Sequence, residues 1–381
     1  MTALLLLFVL AFIVSVDVRI IAPVLPSISE SLGATAGAAG LAMTTYSFAY
    51  GTGQLFYGPV SDRYGRLAVV RVGALGFSLC TVLSALSTTT WQFIAARLLA
   101  GAFAGSVIPL TLVFIGDSFE YNERQTVLGR LSVVTSGGLA FSASIGGAVA
   151  HFVSWRAMLL GYGLLALVPV AFMFRLDPGR PPRRAESGQG PARFTDFLLD
   201  PHARRVYLAV FFEGLFLWGA VTYLGAFAVR RHGLDQLAVG LLIALFGVGT
   251  MTGGSLMAPV RRRLSENALA GVGGSLMALA FLALIPRWPW PVFGAAMLPL
   301  GLGFVALHTT LQVRGTEIST ANRGKAFSLV AFSLFAGIAV GTAALGRLVD
   351  AGHENLMLAI SALGLFTVGA ATAGFGRRGA R

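Results

Sequence analysis

Along the chain, apolar runs of about twenty residues alternate with short polar breaks that carry arginines. A helix needs about 20 apolar residues to cross the hydrocarbon core of a bilayer. Runs of that kind stand at 3–26, 38–60, 68–88, 91–116, 126–151, 156–176, 205–229, 237–260, 268–286, 289–313, 325–347 and 354–375. They predict an all-α membrane protein with twelve transmembrane helices. Breaks as short as Ser87-Thr88-Thr89-Thr90 force their flanking spans into antiparallel hairpins. Thr2 to Val16 has no Lys or Arg before it and no small-residue cleavage site after it, so the run reads as a retained first span and not as a signal peptide.

The arginines orient the bundle. With both termini cytoplasmic, the inside segments carry Arg63, Arg66, Arg71, Arg124, Arg130, Arg175, Arg180, Arg183, Arg184, Arg193, Arg204 and Arg205. They also carry Arg261, Arg262, Arg263, Arg314, Arg323, Lys325, Arg377, Arg378 and Arg381. The outside loops carry Arg156, Arg230, Arg231, Arg287 and Arg347. The excess of basic residues follows the positive-inside rule for a multi-pass protein of the plasma (inner) membrane with both ends in the cytoplasm. Residues 177–204 open with Asp177-Pro178-Gly179-Arg180-Pro181-Pro182 and continue polar, which predicts a cytoplasmic linker between six helices at 1–176 and six at 205–381.

Composition narrows the function. Hydrophobic residues make up 56% of the chain and charged residues 12%, with a mean hydropathy of +0.77. A soluble protein of this length needs more charge to cover its surface, whereas lipid wants an apolar exterior. The net charge of +12 lies in short clusters between spans, a topology signal and not a stripe for nucleic acid. The single Cys80 allows no disulfide and reads as a packing residue. His151, His202, His232, His308 and His353 lack ligand spacing, so no metal is expected. No nucleotide-binding loop or other cofactor motif appears. A small-molecule transporter, monomeric in the bilayer, fits better than an enzyme.

The halves repeat. Gly58-Pro59-Val60 closes the second span and Ala258-Pro259-Val260 the eighth, 200 residues on. Asn122-Glu123-Arg124 precedes the fifth and Ala321-Asn322-Arg323 the eleventh, and Gly138 corresponds to Gly337. Two six-helix halves related by an axis along the membrane normal are one of the known transporter plans.

Between the second and third spans stands Gly58-Pro59-Val60-Ser61-Asp62-Arg63-Tyr64-Gly65-Arg66-Leu67. It resembles the signature loop of the major facilitator superfamily, Gly-x-Leu-x-Asp-Arg-x-Gly-Arg-Arg/Lys, with Val60 and Leu67 as the departures. Gly58 is expected to let two helix ends approach and Gly65 to permit a tight reversal. Asp62 is suited to pair with backbone amides or a guanidinium and so to gate, while Arg63 and Arg66 also anchor the loop inside. In the second half, Arg261-Arg262-Arg263 keeps only the anchor. The family's fifth-helix antiporter motif, Gly-x-x-x-Gly-Pro-x-x-Gly-Gly, reads here Gly138-Leu139-Ala140-Phe141-Ser142-Ala143-Ser144-Ile145-Gly146-Gly147. The small residues Gly138, Ser142, Gly146 and Gly147 support close helix packing, and the proline kink is absent.

Ionisable residues at membrane depth are expensive and point to function. Asp17 and Arg19 lie in the first span, Arg97 in the fourth, Glu213 in the seventh and His308 in the tenth. The resemblance implies that helices one, four, seven and ten line a central cavity. Asp17 falls about 14 Å below the outer end of its helix and Arg97 about 9 Å below the outer end of its own, within mutual reach. Asp17-x-x-Ile20-x-x-Pro23-x-x-Pro26 and Arg97 resemble features of drug/proton antiporters, which implies an acid that protonates in one facing state and pairs with Arg97 in the other. A static buried pair holding helices in register is the structural alternative.

Arg19, rotated 200° from Asp17, either snorkels to headgroups or meets substrate. Glu213 is a second proton site, a ligand for a cationic substrate, or a hydrogen-bond partner for a neighbouring helix. His308 is a weaker candidate, expected to be satisfied by a backbone carbonyl. Phe211, Phe212, Phe216, Trp218 and Tyr223 crowd the seventh helix; they would suit a large apolar substrate, and the lipid-facing reading is preferred. The leading expectation is proton-coupled export of small amphipathic molecules. Uptake or facilitation of a polar solute such as a sugar or organic acid comes second, since few Asn or Gln stand within spans.

Overall fold

The structure, a computed structural model, describes residues 2–176, 194–319 and 323–374. Twelve helical spans follow one another: α1 (Thr2–Ser31), α2 (Ala36–Tyr64), α3 (Arg66–Leu86), α4 (Thr90–Ser118), α5 (Tyr121–Phe152) and α6 (Trp155–Phe174). The second half continues with α7 (Pro201–His232), α8 (Gln236–Arg261), α9 (Glu266–Ala283), α10 (Trp290–Glu317), α11 (Arg323–Asp350) and α12 (Glu354–Ala373). No strand occurs among the described residues.

Eleven of the twelve are long and apolar enough to cross a bilayer. The exception, α2, is long enough but rich in Gly, Ser, Thr and Tyr. It packs along α11 and α4, so much of its surface meets protein, and small residues that admit another backbone serve it better than Leu or Val.

Side-chain caps start many of the helices. Thr35, Ser154, Asp235 and Ser265 each accept a hydrogen bond from a backbone N–H of the first turn, and Thr89 with Gln92 forms a full capping box. Three spans are interrupted. In α1 a 3₁₀ turn at Ala22–Val24 contains Pro23, and in α4 the α-helix stops at Ala104 and resumes at Val107. In α7 a π turn, Gly214–Trp218, follows directly on Glu213.

The linker reading holds only in part. Residues 177–193 lie outside the described residues. Phe194–Leu199 forms a short helix that buries Phe197, and α7 already begins at Pro201, capped by Asp200, not at 205.

The sequence repeat reappears as packing. Helices α1 and α5 pair as α7 and α11 do, α2 and α4 as α8 and α10, and α3 and α6 as α9 and α12. Between halves, α2 meets α11 and α8 meets α5, the exchange that a two-fold axis requires. Gly138 sits against the Phe12 carbonyl on α1 and Gly337 against the Phe211 carbonyl on α7. Pro59 and Pro259 both lie near the ends of their helices. Ala321 and Asn322, and the side chain of Asn122, fall outside the described residues.

The halves form a wedge. At the end away from the termini they touch: Asp350 of α11 accepts hydrogen bonds from the Gly37 amide and the Thr35 hydroxyl, both at 2.7 Å. There Gln236 of α8 bonds Ser27 of α1, Gly225 of α7 abuts the Ala22 carbonyl, and Gly147 of α5 packs on Gly240 of α8. Toward the terminus-bearing end, three described glycines have no such neighbour. A side-chain carbon placed at Gly58, Gly129 or Gly254 would meet nothing within 4 Å.

Candidate functional site

A cavity of about 540 Å³ occupies the open part of the wedge. Ser132, Thr135 and Ser136 of α5 give it a hydroxyl wall, and Trp218, Phe246 and Phe304 of α7, α8 and α10 give it an aromatic one. Thr250, His308, Thr309 and Gln312 add further polar groups. Its walls thus come from α5, α7, α8 and α10. The expectation that α1 and α4 also line it is not met for this cavity, because at this opening those helices are sealed within their own half.

Inside that seal, Arg97 and Asp17 meet. Arg97 Nη2 donates to Asp17 Oδ2 at 2.7 Å and Nη1 to Oδ1 at 3.1 Å, and both side chains are 0% exposed. The guanidinium also lies over the Tyr46 ring, 4.3 Å from its centroid. Gly101, one turn below Arg97, fits against the Tyr46 carbonyl, which brings α4 close enough to α2 for that stacking. Two parallel N–H···O bonds and a cation–π contact hold both charges in a dry bundle. The Arg97 Nε makes no hydrogen bond. The side chain of Arg19 lies outside the described residues.

A second buried acid stands on the other side of the axis. Glu213 is fully buried, with Oε2 2.9 Å from His308 Nδ1. His308 Nε2 stands 3.1 Å from the side-chain amide nitrogen of Gln312, and its ring stacks on Phe304 at 4.8 Å. The backbone-carbonyl partner expected for His308 is therefore replaced by a carboxylate. Two of the aromatics read as lipid-facing are not: Trp218 lines the cavity, and Tyr223 is buried with its hydroxyl donating to the Thr342 carbonyl at 2.8 Å. Phe212 and Phe216 do face outward, along an apolar groove between α7 and α12.

The small residues of α5 serve as backbone seats. Gly138 and Gly146 rest on the Phe12 and Ile20 carbonyls of α1, and the Ser142 hydroxyl donates to the Val16 carbonyl at 2.5 Å. Gly147 faces the other half instead, against α8. Sequence reading missed Gln312 and the stripe Ser132, Thr135 and Ser136. Helical spacing from His308 and along α5 could have found both, since residues three and four apart share a face.

The signature loop departs from expectation at one position. Gly65, at φ 91°, ends α2 and starts α3, a conformation that favours glycine. Gly58 makes no close approach. Asp62 is 63% exposed and pairs with Arg66 one turn on, at 2.5 Å. Arg66 is the hub: it also holds Asp117 at the end of α4 at 3.1 Å, and the Ser61 hydroxyl. Arg63 is exposed and lies over the Tyr64 ring.

The second half keeps this ionic tie with its charges exchanged. Glu266 at the start of α9 pairs with Arg314 of α10 at 3.0 Å. Arg314 also bonds Asn267 and the Thr372 carbonyl, each at 2.6 Å. Arg71 likewise sits inside α3, donating to the Leu176 carbonyl at 2.6 Å, and not in a loop. Exposed ion pairs contribute about 1 kcal/mol at most. Arg66→Ala, which unties three helix ends, is therefore expected to slow transport several-fold more than Asp62→Asn. Initial rates at matched expression check this, and equal rates would reduce the loop to an anchor.

Known proteins place this arrangement. The family model of the Major Facilitator Superfamily matches residues 7–342. The chain belongs to that superfamily. It is a multi-pass membrane transporter and not an enzyme. Among similar proteins, this facilitator is 28% identical over 326 residues to the puromycin resistance protein of Streptomyces alboniger, covering 79% of this chain and 60% of that one. It thus spans less than two thirds of that relative's length. It is 26% identical to the chloramphenicol resistance protein of Pseudomonas aeruginosa, over 76% of this chain and 70% of that one. A probable L-galactonate transporter of Escherichia coli is 25% identical over 98% and 88%. Its fold matches an inward-facing bacterial homologue of the human lysosomal transporter Spinster, with a TM-score of 0.75 at 17% identity over 97% and 93% of the two chains. It also matches a nucleoside transporter, with a TM-score of 0.80 at 12% identity over 97% and 98%.

Proposed function

We propose that this facilitator exports small amphipathic molecules from the cytoplasm in exchange for protons, by alternating access in the plasma (inner) membrane. In this reading both termini and the segment 177–200 are cytoplasmic, joining a half that ends at 176 to one that begins with α7 at Pro201. The cavity then opens inward. The observation that carries the reading is the Asp17–Arg97 pair sealed inside one half of a bundle whose cavity opens inward. Both oxygens of the acid are engaged by a permanent cation, and neither is open to a proton. Separating the two, as rocking of the halves would allow, lets the acid take one up, and this switch between environments is what coupling requires. Two antibiotic-resistance proteins among the relatives support the export direction.

The hydroxyl wall of α5 and the galactonate relative favour the second reading, transport of a polar solute. Against an organic acid, the cavity walls hold no Lys or Arg to receive a carboxylate. In proteoliposomes with an imposed pH difference, an exported amphipath is expected to accumulate against its own gradient while protons run the other way. Substrate movement without proton flux would leave a facilitator. Protease access to 177–193 from the outside alone would overturn the orientation.

A further inference from the structure

The walls of the central cavity carry a single titratable side chain, His308, and no Lys, Arg, Asp or Glu. Its potential therefore depends on what stands behind that imidazole. There stands Glu213, 0% exposed, with Oε2 on His308 Nδ1 and Oε1 without any hydrogen-bond partner. A desolvated carboxylate with so few hydrogen bonds is expensive unless positive charge is near. Two sources of that charge have access: a proton on His308, or a cation in the cavity.

The walls suit the cation. Trp218 stands edge-on to Phe246 and Phe304, at centroid distances of 5.3 and 5.0 Å, and Phe304 stacks on His308. Aromatic faces backed by a negative charge attract organic cations. The π turn is part of this construction. In a regular helix Glu213 and Trp218, five residues apart, point about 140° apart. A π turn takes more residues per revolution and brings them nearer to one side, so α7 presents an acid to α10 and an indole to the cavity.

We propose that Glu213 and His308 form a cation site in the central cavity, at which a proton on His308 and an apolar organic monocation exclude one another. It rests on the export reading and names its substrate class. With His308 neutral, its Nδ1–H donates to the Glu213 carboxylate, and the pair's net charge of minus one draws in the cation. With His308 protonated, the pair is neutral and the attraction is gone. The proton leaves from Nε2 to water at the open side of the cavity, where Gln312 is exposed. Gln312 can serve both states, donating its amide N–H to a bare Nε2 or turning its carbonyl to accept from Nε2–H.

Other charged groups on the helices packed around the pair lie within two turns of helix ends. They are Arg204, Arg205, Arg230 and Arg231 on α7, Arg261 on α8 and Glu266 on α9. On α10 there are also Arg314 and Glu317, on α11 Arg323, Lys325, Arg347 and Asp350, and on α12 Glu354. Of these, Arg261 and Glu266 share a small pocket with Thr309 and Thr310, next to His308 in α10, and Glu266 is itself paired with Arg314.

The test uses purified full-length protein in weakly buffered detergent, with tetraphenylphosphonium as the cation and triphenylphosphine oxide as a neutral probe. Cation binding is expected to release up to one proton and to weaken by about tenfold per pH unit once His308 is protonated. The neutral probe should release none. Glu213→Gln is expected to lose proton release and at least tenfold in cation affinity, while His353→Gln, exposed and outside the cavity, keeps both. Proton release unchanged in Glu213→Gln, equal release by the two probes, or no cation binding by the folded protein at any pH would overturn the site. If Glu213→Gln fails to fold, His308→Gln keeps a hydrogen bond to Glu213 without titrating. Cation binding should then become independent of pH, and an unchanged pH slope would be fatal. None of these readings needs a gradient, so failed proton-driven export with intact exchange here would sink the coupling role of Asp17 and leave this site standing.

Discussion

Protein carrying both Asp17→Asn and Arg97→Gln is expected to fold as well as the wild type and to have lost proton-driven transport. Either change alone strands a charge in the core of the first half, where both side chains are 0% exposed. Breaking a buried pair from one side costs about 3–5 kcal/mol, enough to lower the thermal midpoint and the yield of monodisperse protein. Asn and Gln together leave two neutral, hydrogen-bonding side chains and no unpaired charge between α1 and α4, so the electrostatic cost of the single changes is removed. The titratable group and its permanent counter-charge do not. The decisive measurement sets stability of the three variants beside substrate accumulation under a pH gradient. A double variant that is stable and still fully coupled would show that the pair only holds helices in register. A stable, uncoupled double variant that still binds substrate would place coupling at Asp17 and Arg97.

A disulfide across the closed end should stop transport completely and reversibly. Ser27 of α1 and Gln236 of α8 are hydrogen-bonded side chain to side chain, one from each half. Ser27→Cys with Gln236→Cys puts one thiol on each side of this seam, where oxidation bridges them once their Cα atoms come within about 7 Å. The only native thiol, Cys80, is buried in α3 and takes no part. Oxidation holds the two halves together at this end, while alternating access requires them to part there. Transport is expected to fall to background on oxidation and to recover on reduction, with cation binding to the inward-open cavity unaffected. Full transport by protein shown to be crosslinked would mean that this end need not open.

Much of the architecture was legible from the chain alone because lipid imposes a simple rule. Every backbone polar group in hydrocarbon must be satisfied within its own helix, so an apolar run of sufficient length is a span. Even the helix-on-helix seats at Gly138, Ser142 and Gly146 followed from small residues at four-residue spacing, since only such residues let one backbone rest on another. The meeting of Asp17 and Arg97 was readable too, because depth in a span is set by counting 1.5 Å per residue.

What depth does not supply is which way a helix is turned. Asp17 and Arg97 were expected beside a central cavity, yet they are sealed inside their half. His308, the weaker candidate, lines that cavity instead, with Glu213 buried behind it. The rotation of α7 depends on a π turn that no local pattern at Gly214–Trp218 announces, and on the seats of Gly214 and Gly219 against α11. The same holds for Arg66. Its partner Asp117 is 51 residues away, and the mirrored tie exchanges the charges at Glu266 and Arg314. Sequence by itself determined the spans, the repeat and the family, because these follow from hydropathy and short motifs. Only the tertiary structure decided which charges share a dry pocket and which face the cavity, because that depends on helix rotation, set by packing among distant side chains.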